Sequence, residues 1–357
     1  MDSLRIFISY SHEDRDLVEK LVDIVERGGH IPLWDRSFQW GRGFDGQIRE
    51  FITHSHVFMP LITTSSSARG WVHQEIGFAV AHRIPVLPVC LGSLPGEMIQ
   101  LLHAVEWDGS TEKLEKELSK ERLFSLVDWG TTDVGALYEC GNFQEDRTEL
   151  MAQKAESAIK LGLPGMVRQS GGLSSFHIPD RPLSDPVWKE RYGHFEPNEK
   201  RCQLLRRERR ALEKNAIEKG CRIIIDLGLT YDKYGELARI VRLRTLLEFL
   251  SDPMMAEGKI TVGLSSGDNI EHSITIVGDW FSAESHVAAL GRGYRQTLFT
   301  SHAPTVRNQC VLFDEDLQVI LDLTPEESRR VAIKKIRVLV EELETSWREG
   351  NSGAKLR

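Results

Sequence analysis

The apolar positions change rhythm repeatedly over residues 1–125. Short solid runs, "RIFISYS", "HIPLW", "HVFMPLIT" and "IPVLPVCLG", predict four strands. Between the first two, Leu17, Val18, Leu21, Val22 and Val25 recur at helical spacing in "EDRDLVEKLVDIVERGG". "FDGQIREFITHS" and "GWVHQEIGFAVAHR" predict two further helices. Strands this apolar have both faces covered, so an α/β unit with a parallel, helix-flanked sheet is expected. Ser11 and Asp14 are spaced for a capping box ahead of the first helix, and Gly28-Gly29 predicts its end.

Residues 126–200 lose this rhythm. "GTTDVGALYECGNF" and "LPGMVRQSGGLSSFHIPDRPLSDP" are rich in Gly, Pro and Ser, which predicts a linker of limited structure around one helix near "DRTELMAQKAESAIKLG". A second α/β domain is expected over 201–349. It opens on a helix with Leu204, Leu205, Leu212, Ala216 and Ile217 in one stripe. A strand at "CRIIIDLGL", a helix at "YGELARIVRLRTLLEFLSD" and strands at "GKITVGLS" and "HSITIVGDW" follow. Two helices close the chain, and residues 350–357, "GNSGAKLR", are expected to be a disordered tail.

Composition narrows the classes. At 357 residues, two or three domains are expected, with an ordinary 41% hydrophobic and 27% charged content. A net charge of -8 disfavours non-specific nucleic-acid binding. Arg206, Arg207, Arg209 and Arg210 are interleaved with Glu208 and Glu213, which suits a solvated helix face better than a nucleic-acid patch. No apolar run reaches the roughly 20 residues a membrane span needs, so no membrane partner is expected. The first residues lack the basic, apolar and small-residue order of a leader. The five cysteines are scattered without a CxxC pair, so neither a disulfide framework nor a metal site is expected, and a cytoplasmic setting fits.

One constellation carries chemistry. Trp71 and Glu75 sit four residues apart on one helical face. The loops "SYSHED" and "DRSFQWGRGFDG" follow the first two strands, and ligand crevices of open parallel sheets lie outside the carboxyl ends of the strands. The competing reading makes Glu75 an ordinary solvated carboxylate.

The run "RIFISYSHEDRD", then "PLWDRSFQWGRGFDGQIREFITHSHVFMPLITTSSSARGWVHQEIGFAV", then "IPVLPVCLG" resembles the Toll/interleukin-1 receptor (TIR) domain family. The opening "FISYS", the Trp-Asp…Gly loop, the apolar strand ending in Thr and Ser, and the W-x-x-x-E helix stand in family order. The resemblance implies a flavodoxin-like fold with a five-stranded parallel sheet. It implies one of two activities: association through TIR contacts alone, or cleavage of NAD+ between nicotinamide and ribose. In the second branch Glu75 is the catalytic residue, with NAD+ as substrate and no cofactor. Ser9 and Tyr10 are then expected near nicotinamide. Trp34, Asp35 and Arg36 open the covering loop, with Arg36 placed for a phosphate and Phe38 or Trp40 for a base, and Trp71 walls the groove. Self-association through TIR domains is the expected gate.

The C-terminal half holds a weaker pattern. In "EHSITIVGDW", His272 and Asp279 keep the spacing of the phospholipase-D-like motif H-x-K-x-x-x-x-D, with Ile274 in place of the lysine. The half therefore resembles a degenerate phospholipase-D-like domain, expected to act as a sensor or oligomerisation module. His302, in "GRGYRQTLFTSHAP", is a candidate third member of a vestigial ligand groove with His272 and Asp279. Two functional readings stand. One is a cytoplasmic NAD+ glycohydrolase of bacterial antiphage or stress defence, yielding ADP-ribose or cyclic ADP-ribose and gated by an unknown trigger at the C-terminal domain. The other is a non-catalytic TIR signalling module with a nucleotide- or nucleic-acid-sensing C-terminal domain.

Overall fold

The computed structural model describes residues 3–35, 44–67, 70–92, 104–127, 137–176, 199–227, 236–255, 258–265, 273–287, 295–321 and 323–354. The chain divides into two units, Met1–Leu137 and Tyr138–Arg357. Among the described residues no helix is long and apolar enough to cross a membrane.

The first unit is built on strands β1 (Arg5–Ser9), β2 (Ile31–Leu33), β3 (Val57–Ile62), β4 (Val89–Cys90) and β5 (Val105–Glu106). They form one sheet in the order β2-β1-β3-β4-β5, parallel throughout. This is the flavodoxin-like doubly wound order, whose crevice lies at the carboxyl ends of the strands. β1 is buried at every position. Ile6 and Ile8 join a core with Val18, Leu21 and Met59, while Phe7 faces the other way, its ring 5.9 Å from Phe51 and 5.8 Å from Phe58. The expectation of a strand covered on both faces is met.

Helix α1 (Arg15–Arg27) buries Val18, Leu21, Val22, Ile24 and Val25, and ends at Gly28-Gly29, where Gly29 takes φ 78°. The expected capping box does not form: neither Ser11 nor Asp14 caps with its side chain. The Asp14 carboxylate accepts instead from Thr63 Oγ1 at 2.7 Å, a tertiary bond taken in preference to the local one. The fourth strand is shorter than the run "IPVLPVCLG" predicts. Pro85 and Pro88 have no N–H to give a ladder, so pairing reduces to an isolated bridge, Phe58 to Val86, and the two residues of β4. Helices α2 (Phe44–His54), α3 (Thr64–Ser67), α4 (Gly70–Ala81), α5 (Thr111–Glu117) and α6 (Lys120–Leu126) complete the unit.

At the amino end of β1 the backbone is held by histidines of its neighbours. Leu4 N donates to His30 Nδ1 at 3.1 Å, and Arg5 N to His56 Nδ1 at 2.7 Å. The Arg5 guanidinium reaches the His54 carbonyl at 2.6 Å.

The second unit contains β6 (Glu139–Gly141), β7 (Val167–Ser170), β8 (Cys221–Asp226), β9 (Ile260–Ser265), β10 (Ser273–Val277), β11 (Phe281–Val287) and β12 (Arg295–Thr300), in the order β6-β12-β11-β10-β7-β8-β9. Strands β7, β8 and β9 run parallel and the other pairings are antiparallel. Its helices are α7 (Gln144–Lys160), α8 (Glu199–Lys219), α9 (Glu236–Leu250), α10 (Ala303–Ile320) and α11 (Pro325–Ala354). Successive strand residues face opposite sides. Ile223, Ile225, Val262 and Val277 pack with Ala155, Leu212, Leu246 and Ile336, which belong to α7, α8, α9 and α11. Ile224, Ile274 and Ile276 pack on the other side against Val306, Phe313 and Leu317 of α10. Among the described residues the unit is therefore a three-layer sandwich, with α10 alone on one face.

Several expectations for this half need correction. Residues within 126–200, expected as a linker around one helix, supply that helix as α7 but also the strands β6 and β7, and β7 lies inside the sheet between β10 and β8. Within that stretch Gly165 serves a close approach of backbone to backbone. A Cβ on Gly165 would lie 2.6 Å from the backbone N of Gly278, so the two glycines let the turns touch. Gly278, at φ 53°, also breaks what reads as one strand, "EHSITIVGDWFSAES", into the hairpin β10–β11. Trp280 in that turn donates Nε1 to the Leu163 carbonyl at 2.8 Å. "GRGYRQTLFTSHAP", read for its Gly, Arg and His302 without a strand, contains strand β12. The expected tail is partly helical, since α11 runs to Ala354: once a long helix is nucleated, each added residue costs little. Residues 355–357 lie outside the described residues.

Candidate active site

The carboxyl ends of β1, β2 and β3 lie side by side, at Ser9, Leu33 and Ile62, and each leads into a polar loop. Helix α4 follows from the third of these ends. It buries Val72, Glu75, Ile76 and Ala79, while the apolar Val80 is 48% exposed. The buried arc thus centres nearer Glu75 than the apolar pattern suggests. Glu75 is 8% exposed.

Ser9 Oγ donates to Glu75 Oε2 at 2.5 Å. Burial pushes the Glu75 carboxyl up from 4.5 to about 7, and the Ser9 hydrogen bond works against that rise. The group is therefore divided between acid and carboxylate near neutral pH, where a carboxylate in water would be fully ionised. Perturbed carboxyls at the ligand crevice of an α/β sheet are candidates for chemistry rather than for stability.

Tyr10 and Trp34 continue from the same strand ends. They are buried, with ring centroids 6.3 Å apart, and both belong to the core beneath the loops. Tyr10 also meets the His12 ring edge-on at 6.2 Å. Asp35 Oδ2 lies 3.7 Å from His12 Nδ1. Trp71 is half-buried, one turn before Glu75 on α4. Arg36, Phe38 and Trp40 lie outside the described residues. The fold therefore joins Ser9 directly to Glu75 and Tyr10 to Trp34, with the peptide bond between Ser9 and Tyr10 linking the two contacts.

Sequence reasoning passed over a second polar lattice. Thr63 N donates to Ser66 Oγ at 2.8 Å, Ser66 Oγ donates to the Leu61 carbonyl at 2.8 Å, and Thr63 Oγ1 holds Asp14. All three side chains are buried. The lattice ties the β1–α1 connection to the segment that leads into α4. Its only signal is the polar run "TTSSS" directly after an apolar strand.

In the second unit His302 Nδ1 lies 2.8 Å from Thr305 Oγ1 at the start of α10. Asp279 sits in the β10–β11 turn, Ile274 is buried within β10, and His272 lies outside the described residues. Among the described residues no three His, Cys, Asp or Glu side chains are grouped to hold a metal ion.

A doubly wound parallel sheet with a buried, titratable carboxyl at its ligand-binding edge is an α/β domain equipped for binding or chemistry at that edge. Residues 6–120 match the family model described as TIR domain, and over those residues the chain carries a TIR domain. No curated protein matches the chain. TIR domains include both signalling modules and NAD-cleaving enzymes, and they commonly self-associate.

Proposed function

We propose that the TIR domain of this chain cleaves NAD+ at the bond between nicotinamide and ribose, with Glu75 as the catalytic carboxylate. The observation that carries the reading is the buried Glu75 at the carboxyl edge of the sheet, held by Ser9 and shifted to about pH 7. In NAD+ the nicotinamide ring already carries positive charge. When the C–N bond to ribose breaks, the bonding pair leaves with the ring as neutral nicotinamide. The ribose is left with oxocarbenium character, as in glycoside cleavage. An ionised carboxylate in a low-dielectric crevice stabilises that charge as it forms, and no acid is needed for the leaving group. Water then adds to the sugar and loses a proton, giving ADP-ribose. Attack by the adenine instead gives cyclic ADP-ribose.

Ser9 aims the carboxylate and favours its ionised form. Tyr10, Trp34, Asp35 and Trp71 form the surroundings of the substrate in this reading, with Arg36 and either Phe38 or Trp40 of the following loop. The activity is gated by self-association of the chain, with the C-terminal unit responding to a trigger, in a cytoplasmic defence or stress response.

A second reading is favoured by the same bond. Ser9–Glu75 joins α4 to the sheet, so a structural staple in a non-catalytic signalling TIR domain also accounts for it. Nicotinamide release separates the two. Full-length chain is incubated with NAD+, dilute and concentrated, beside Glu75→Gln. Catalysis requires release by the wild type and its loss in the variant, and equal rates in both would leave the staple.

A further inference from the structure

Two surfaces on opposite faces of the second unit carry complementary chemistry. The first is a groove of about 730 Å³ along α11, bounded on its far side by Leu227 beyond β8 and Arg239 of α9. Its walls are Val331, Val338 and Leu339, and its charges are Arg239, Lys334 and Lys335 against the single carboxylate of Glu342. Val331 and Val338 are 38% and 47% exposed. Arg239 is engaged by the Leu227 carbonyl at 3.2 Å, whereas Lys334 and Lys335 are exposed and make no ion pair among the described residues.

The second surface is the outer side of α10. Val311, Glu315 and Val319 follow one another at i, i+4 and i+8, with Leu312 and Asp316 alongside. Val311 and Leu312 are about half exposed and Val319 is 86% exposed. Glu315 and Asp316 are exposed and form no ion pair among the described residues. Scattered apolar side chains need no explanation, but here the exposed Val311, Leu312 and Val319 bracket two exposed acids on one face of one helix, about two turns from end to end.

The ridge from Val311 to Val319 spans about 12 Å, and the groove along α11 from Val331 to Glu342 about 16 Å, at 1.5 Å per helical residue. Apolar ridge meets apolar wall, and two carboxylates meet a groove with an excess of two cations. Within one chain they cannot meet, because α10 packs on one side of the sheet through Ile274 and Ile276 while α11 packs on the other through Val262 and Ile225.

We propose that the groove receives the α10 ridge of a second copy of this chain. The contact is head-to-tail: each copy keeps one free ridge and one free groove, so repetition gives a ring or a fibre rather than a closed two-fold dimer. It concerns the second unit alone and stands whether or not Glu75 cleaves NAD+.

The test is the mass distribution of the full chain by sedimentation velocity across a concentration series, without NAD+. Wild type is expected to form species beyond a dimer, lost progressively as salt screens the charges. Lys334→Glu with Lys335→Glu should return the chain to monomer, and so should Glu315→Lys with Asp316→Lys. Mixing the two double variants, or combining all four changes in one chain, should restore assembly, which a folding defect would not. A wild type that stays monomeric at every soluble concentration overturns the proposal. So does loss of assembly in the lysine variant alone, which would seat a different segment of the second copy in the groove.

Discussion

Ser9 and Glu75 are 66 residues apart and joined by a 2.5 Å hydrogen bond at the edge of a parallel sheet. The bond sets two quantities at once, the aim of the carboxyl and its proton affinity. Burial raises the affinity and the Ser9 hydroxyl lowers it, leaving a midpoint of about 7. If the carboxylate is the working form, nicotinamide release should rise about tenfold per pH unit below that midpoint and level off above it. Ser9→Ala should move the midpoint upward, because the opposing hydrogen bond is gone. Glu75→Gln should lower the rate by on the order of a hundredfold or more. A flat pH profile in the wild type would sink the assignment.

The same residue should cost stability. A carboxyl whose folded value is raised contributes stability that is fully present below about 4.5 and is lost as pH rises through about 7. The difference, from 4.5 to about 7, corresponds to about 3 kcal/mol at alkaline pH. Glu75→Gln keeps an acceptor for Ser9 without the charge. Its unit should therefore melt at a higher temperature than the wild type at about pH 8, with the gain disappearing below the unfolded value. Calorimetry at the two pH values decides it. An equal Tm for both proteins at alkaline pH would mean that water reaches the carboxyl.

How much of this was legible in the sequence depends on how local each signal is. The four apolar runs and the helix carrying Glu75 could be read because their periodicities are carried by neighbouring residues. β5 could not: Val105–Glu106 is two residues long and is a strand only because β4 lies beside it. Nor could β7, whose four residues are framed by the glycines and prolines that suggest a linker. In the site, W-x-x-x-E pointed to Glu75, but the partner role of Ser9 is a tertiary fact, and so is the diversion of Asp14 from the helix cap to Thr63. The Gly165–Gly278 contact is likewise visible only once both turns are placed together.

His30 gives the first unit a pH response of opposite sign. Burial lowers the His30 imidazole below its ordinary value, with Lys120 adding to the effect, and its Nδ1 accepts from Leu4 N. Protonation would remove that acceptor. A base with a lowered folded value contributes stability that is present above about 6.5 and lost as pH falls toward the folded value. The urea midpoint should therefore drop as pH falls below about 6.5, and His30→Asn, which keeps an acceptor that does not titrate there, should flatten the drop. An unchanged slope in the variant would assign the acid loss to other groups.

The second unit offers a sharper test of charge burial. Arg147 on α7 donates Nη1 to Glu208 Oε2 on α8 at 2.6 Å, and Glu208 is completely buried. Burial pushes the Glu208 carboxyl up while Arg147 and Thr148 pull it down, so the carboxylate depends on its partner. Removing one member should cost more than the pair contributes, since it strands the other in a low-dielectric site. Arg147→Leu is expected to destabilise the unit by about 3–5 kcal/mol at neutral pH. Part of that loss should be recovered at low pH, where Glu208 can take a proton. Combining Arg147→Leu with Glu208→Leu should cost less than Arg147→Leu alone, because no orphaned charge remains. Denaturant titrations of Arg147→Leu, Glu208→Leu and the double variant measure the coupling, and purely additive costs would show that the two side chains act independently of each other.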